Sequence, residues 1–206
     1  MKHPLTPQWS WEELTAGNSR FVSDQLRHPN QDATRRHRLK TRQTPTAIFF
    51  GCGDSRVAAE IIFDQGLGDL FVVRTAGHTI DNTILGSIEF GIGLLDIPLI
   101  VVLGHDSCGA IKATIETSQT GDMPTGFVRD IVERVMPSVL TARTQGLITT
   151  EEIEAEHVRH TTRLLIERSR LIHDSLKTGN LGIVGATYDL GDGSVSVVTT
   201  LGDLTT

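Results

Sequence analysis

Two short segments concentrate the residues able to do chemistry. Cys52-Gly53-Asp54-Ser55-Arg56 puts a thiol, a carboxylate and a guanidinium close together, and Gly104-His105-Asp106-Ser107-Cys108-Gly109 adds an imidazole and a second thiol. Cys52 and Cys108 are the only cysteines in the chain. Two thiolates, an imidazole and a carboxylate are the donors that suit Zn(II), which favours a tetrahedral shell of sulfur and nitrogen and accepts oxygen as a fourth ligand. A lone buried cysteine is more often a small hydrophobe, so the joint occurrence carries the argument. Other cysteine chemistries fit the spacing less well. A phosphatase loop would carry arginine where Ala58 stands, a Cys-x-x-Cys pair is absent, and Gly51-Cys52-Gly53 lacks the third glycine of a dinucleotide fingerprint. Two rivals stay open. Cys108 could act as a nucleophile with His105 as its base, or the metal could be purely structural in a binding protein, against which the neighbouring Asp54 and Arg56 speak.

Convergence of the two segments requires a particular fold. Residues 47–52, 70–73 and 99–103 are continuous apolar runs of strand length, alternating with helical stretches at 57–64, 82–95 and 108–118. Strands apolar on both faces and separated by helices indicate an α/β fold with a mainly parallel central sheet covered on both sides. Two further helical stretches, 126–143 and 149–176, precede strands at 181–186 and 195–198 joined by a turn at Gly191-Asp192-Gly193, the last an antiparallel edge strand beside about four parallel ones. In such a sheet ligands gather beyond the carboxyl ends of the strands, where both reactive segments fall. At the amino-terminal end, Ser10 with Glu13 fits a capping box that starts a helix running to about residue 25, followed by a polar arm. We read residues 1–206 as one domain, with 1–45 the N-terminal helix and arm and 46–206 the α/β core.

Composition excludes several classes. A chain of 206 residues with 38% hydrophobic and 21% charged residues is globular rather than disordered. Its net charge of −6 argues against a general nucleic-acid binder; the local basic cluster at 35–42 reads as a solvated loop or a subunit contact. No apolar run reaches the length of a membrane span, and the first residues do not resemble a secretory signal, so a cytoplasmic location is expected. In that reducing setting the two cysteines are metal or catalytic candidates rather than a disulfide. Outside the two segments, His157 and His160 sit three apart on one helix and read as surface or packing residues. His78 reads as a surface histidine with a proton relay as the alternative, and Arg74 as part of a structural ion pair with an anion site as the alternative.

Charge counting sharpens the metal reading. Two thiolates cancel the charge of Zn(II), which therefore acidifies water less than it would in a three-histidine shell. Asp54 can fill the fourth zinc position or accept a hydrogen bond from water there, and Arg56 can hold the carboxylate off the metal. The pair forms a gate, closed when Asp54 sits on zinc and open when Arg56 holds it.

Taken with Gly68-Asp69-Leu70-Phe71-Val72-Val73-Arg74-x-Ala76-Gly77 and Ser87-Ile88-Glu89-Phe90, these segments closely resemble the β-class carbonic anhydrases, in order and spacing over roughly residues 43 to 112. The resemblance implies reversible hydration of carbon dioxide to bicarbonate and a proton by zinc-hydroxide attack. It implies one Zn(II) per chain held by Cys52, His105 and Cys108, with Asp54 a ligand in the closed state only. Asp54 and Arg56 become the catalytic dyad, Gln43 and the amide region of Gly109 bind bicarbonate, and Phe71 and Phe90 wall the carbon dioxide pocket. Phe90 stands where tyrosine is frequent, and Gln43 points to the branch whose site is open under ordinary conditions. The family also implies a homodimer or a tetramer of dimers, with the N-terminal helix draped over the partner and some pocket residues supplied by it. Related hydrolases of carbonyl sulfide and carbon disulfide share the same metal site and are the nearest alternative.

Overall fold

In the computed structural model, which describes residues 5–205, the apolar runs form one five-stranded sheet. Its strands are Ala47–Cys52 (β1), Leu70–Thr75 (β2), Leu99–His105 (β3), Gly182–Tyr188 (β4) and Val195–Leu201 (β5), in the spatial order β2-β1-β3-β4-β5. β2, β1, β3 and β4 are mutually parallel, and β5 closes one edge antiparallel to β4. The α/β class, the parallel core and the antiparallel edge strand are as the sequence led us to expect. The helices are Pro7–Val22 (α1), Ala33–Arg38 (α2), Ala59–Ile62 (α3), Asn82–Leu95 (α4), Gly109–Thr120 (α5), Val128–Thr144 (α6), Thr150–Arg168 (α7) and Arg170–Lys177 (α8). Among the described residues, no helix is long and apolar enough to cross a membrane.

β1 and β3 are buried at every position because helices cover both faces. Alternation sends Ile48, Phe50, Ile100 and Val102 to one face with Ile88, Val158 and Leu165, and Phe49, Leu99, Val101 and Leu103 to the other with Trp11, Leu14 and Phe63. Each such large side chain contributes about 1.5–3 kcal/mol on burial. These two strands thus form a stiff floor whose carboxyl ends carry the reactive segments.

Several local expectations are corrected. α1 starts earlier, capped by Thr6, whose hydroxyl accepts from Trp9 N, with Pro7 preset for the first turn; Ser10 is buried inside the helix, which ends at Val22. The basic segment includes the short helix α2, capped by Asp32. The stretch 57–64 yields only the four residues of α3. The long helical stretch 149–176 divides at Ser169, whose extended backbone ends α7 and whose hydroxyl caps α8 at Ile172 N while donating to Glu89.

Asp64 fastens the arm to the core. Its buried carboxylate accepts from Arg20 Nε at 2.6 Å and from the backbone N–H groups of Arg27 and His28. Burial works against its charge, but these donors outweigh it and hold its pKa below the usual 3.8. A depressed carboxylate contributes stability above its unfolded pKa and loses it as pH falls through the folded value. Urea unfolding midpoints should therefore fall steeply below about pH 4 in the parent, and Asp64→Asn should flatten that slope. Packing of α1 makes a second expectation: a Cβ on Gly17 would stand 1.8 Å from the Phe63 carbonyl oxygen, whereas one on Gly86 meets nothing within 4 Å. In the same unfolding measurement Gly17→Ala should cost about 1–3 kcal/mol, and Gly86→Ala should gain about 0.5–1 kcal/mol.

Candidate metal centre

Parallel pairing of β1 with β3, with Gly51 opposite Leu103, makes the two reactive segments leave the sheet side by side. Cys52 is the last residue of β1, His105 the last of β3, and Cys108 the cap residue of α5. Their ligand atoms all lie within 4.8 Å of one another, and all three residues are buried. The His105 Nδ1–H donates to the Asp106 carbonyl at 2.8 Å, which a carbonyl acceptor requires, so Nε2 carries the lone pair. That Nε2 is buried with no hydrogen-bond partner. An unsatisfied imidazole nitrogen facing two thiols is a donor set that fits a zinc-type ion.

The thiols make the same point electrostatically. A hydrogen bond from Cys108 stabilises the Cys52 thiolate and, against the effect of burial, draws its pKa well down. The same bond, with burial, pushes Cys108 far up. The two sulfurs thus shift in opposite directions, and a dication between them would compensate both thiolates. A buried, protonated Cys108 is a poor nucleophile, which weakens the cysteine-hydrolase rival.

Asp54 stands beside the cluster, with Oδ2 3.9 Å from His105 Nε2. Arg56 grips both of its oxygens, Nε to Oδ1 at 2.9 Å and Nη2 to Oδ2 at 2.8 Å, and adds its backbone N–H at 3.0 Å. These donors hold the Asp54 carboxyl far below the usual carboxylate range. The loop is braced from β2: the Gly53 N–H donates to Thr75 O, and the Arg74 guanidinium donates to the carbonyls of Cys52 and Asp54. Arg74 thus meets carbonyls, not the carboxylate expected from sequence.

Comparison with known proteins agrees with this geometry. Residues 47–195 match the family model described as carbonic anhydrase. The chain is 57% identical over 198 residues to a carbonic anhydrase of Mycolicibacterium smegmatis, covering 96% of each, and 54% identical over 187 residues to carbonic anhydrase 2 of Mycobacterium tuberculosis, covering 91% of this chain and 90% of that protein. The chain belongs to the β-class carbonic anhydrase family. The solved structure of the β-carbonic anhydrase CcaA superposes with a TM-score of 0.71 at 25% identity, covering 91% of this chain and 86% of that one. Two tetrameric β-carbonic anhydrases of Sordaria macrospora share the fold, with a TM-score of 0.75 at 18% identity over 95% of this chain and 100% of that one.

Against this carbonic anhydrase fold, the pocket residues named from sequence fall elsewhere within one chain. Gln43 is exposed four residues before β1, at the opposite end of the sheet, in a groove of about 510 Å³ with Arg36, Leu39, Arg42 and Gly68. Phe71 pairs with Ile48 near the start of β2, four residues from the Cys52–Thr75 pair and so roughly 13 Å from the metal end. It stacks on Phe90 at 6.1 Å. Gly109 opens α5 immediately after Cys108.

Among the histidines one reading is corrected, that of His78, while His157 and His160 take the packing and surface roles expected of them. His78 is fully buried, edge-on to Phe50 and 4.4 Å from His157, and its burial holds it neutral. His157 is buried between α6 and the sheet, while His160 lies beside Arg163 and shares no ligand with it. Sequence reading also missed Glu154, which is 1% exposed and accepts from the His105 backbone N–H at 3.2 Å. Burial raises its pKa to about 8. The available signal was a carboxylate on the same helical face as Ile153, His157 and Val158.

The geometry predicts that Cys52→Ala, His105→Ala and Cys108→Ala each lower the metal retained after gel filtration by about tenfold or more. Elemental analysis by plasma mass spectrometry checks this, with the parent retaining about one ion per chain.

Proposed function

We propose that the chain catalyses reversible hydration of carbon dioxide with one zinc ion held by Cys52, His105 and Cys108. The observation that carries this reading is the Asp54–Arg56 clamp set against the sulfur–imidazole cluster. When bound, zinc supplies Lewis-acid activation of water for attack on carbon dioxide. The protein supplies the rest. Arg56 keeps Asp54 ionised and turned from the metal, so its carboxylate can only accept hydrogen bonds. Directed at a water, that acceptor fixes where the water's protons point and aims an oxygen lone pair at the carbon. Water and carbon dioxide give bicarbonate, and the proton leaves to solvent buffer. The clamp supports an open resting state, and Asp54 would be free to act as a further ligand only if released by Arg56. The amide region of Gly109, at the start of α5, receives bicarbonate oxygens.

The working unit we infer is a homodimer, or a tetramer built from dimers. β2 is an edge strand, and its own Val72 with Phe90 and Leu94 of α4 are 37%, 45% and 69% exposed, apolar surface that a second copy would cover. A partner also supplies what one chain separates, bringing Gln43 and the aromatic wall of Phe71 and Phe90 toward a neighbouring metal centre. Residues 1–206 act as one domain, with 1–45 as the arm that reaches the partner. Two thiols committed to a metal suit a reducing, cytoplasmic setting.

Arg56→Ala should keep its zinc yet lose about 100-fold in stopped-flow carbon dioxide hydration, and unchanged turnover would remove the clamp from catalysis. In the parent the hydration rate should rise from pH 6 to pH 9, because activated water must lose a proton; a flat profile would contradict the scheme. Turnover confined to carbonyl sulfide would assign the site to the related hydrolases.

A further inference from the structure

Helix α7 lies against β3 and reaches the backbone of the metal centre. Two of its residues, three apart and so on one helical face, end on backbone that carries or hydrogen-bonds a residue of the cluster. Glu154 Oε1 accepts the backbone N–H of His105 at 3.2 Å. His157 Nε2 lies 2.8 Å from the Gly77 carbonyl, and the Gly77 N–H donates to Cys52 Sγ at 3.4 Å. The carbonyl can only accept, so Nε2 carries the proton and Nδ1 accepts from the Ser138 hydroxyl at 2.8 Å. One chain of contacts therefore runs from α6 through α7 and Gly77 to Cys52 Sγ, and another from α7 to the His105 backbone.

Backbone space is reserved for both contacts. A Cβ on Gly104 would stand 2.3 Å from Glu154 Oε1, and Gly77 has φ +62 with room for a Cβ only 2.7 Å from Ala110. A buried carboxylate is costly without partners, yet Glu154 is 1% exposed and its Oε2 has none. A hydrophobic residue would fill this position at lower cost if only packing mattered.

We propose that Glu154 and His157 are positioning residues that set metal affinity by holding the backbones of His105 and Gly77, and through them the imidazole and the Cys52 thiolate. The proposal rests on the zinc reading above. It needs no contact between either residue and substrate, and it gives the buried histidine a role as a strut.

Zinc dissociation constants, measured by chelator competition on the full chain, test it together with melting temperatures of the metal-free proteins. Glu154→Leu and His157→Leu should each weaken zinc binding by about 10- to 100-fold, the usual effect of removing a partner behind a ligand. Glu154→Gln and His157→Gln, whose amides keep an acceptor and a donor respectively, should stay within about threefold of the parent. Zinc affinity unchanged in the leucine variants, or equally weakened in both glutamine variants, would overturn the proposal. Should a leucine variant not fold, Ser138→Ala decides: about fivefold weaker zinc binding at an unchanged metal-free melting temperature supports the strut, and unchanged affinity overturns it. A parent chain that binds no zinc would instead overturn the metal reading itself.

Discussion

The parallel ladder between β1 and β3 is what everything at the functional end of this molecule hangs from. Neither strand carries a ligand in its interior; each delivers one at its carboxyl end, Cys52 from one and His105 from the other, with Cys108 a turn later at the head of α5. Because both strands are buried on both faces, a slip of register would break the close packing of side chains in both layers. The same burial that stabilises the sheet therefore fixes the spacing of sulfur and nitrogen, and the three ligand atoms arrive within 4.8 Å of one another.

That convergence creates an electrostatic problem whose solution accounts for the surrounding residues. Two buried sulfurs side by side repel as thiolates, and each biases the other, with Cys52 drawn down and Cys108 pushed far above its usual value. A dication relieves the repulsion but is itself neutralised, which leaves it a weaker activator of water. Asp54 stands beside the cluster with both of its oxygens gripped by Arg56, and the Arg74 guanidinium braces the loop from β2. Helix α7 approaches through the gap left by Gly104.

What was legible in the sequence was what depends on local pattern. Strands apolar on both faces announced a covered parallel sheet, and the only two cysteines at strand ends announced where its chemistry lies. What was not legible depends on partners distant along the chain. Thr6 rather than Ser10 caps α1 because Pro7 can occupy only the first turn, a signal that the capping box at Ser10 obscured. Ser169 breaks a continuous helical pattern through contacts with Glu89 and Ile172 that periodicity does not encode. His78 and Glu154 were invisible as buried groups, since nothing in their own neighbourhood says which sheet or histidine packs on them. Gln43, Phe71 and Phe90 illustrate the remaining gap: their positions in one chain place them away from the metal end, and a shared pocket needs a second copy.

The central claim is that two thiolates and one imidazole bind the metal and leave one position for oxygen. X-ray absorption at the zinc edge of the zinc-loaded enzyme tests it most directly. The account predicts about two sulfur neighbours at ~2.3 Å and about two nitrogen or oxygen neighbours at ~2.0–2.1 Å. A first shell without sulfur, or with sulfur alone, would contradict it.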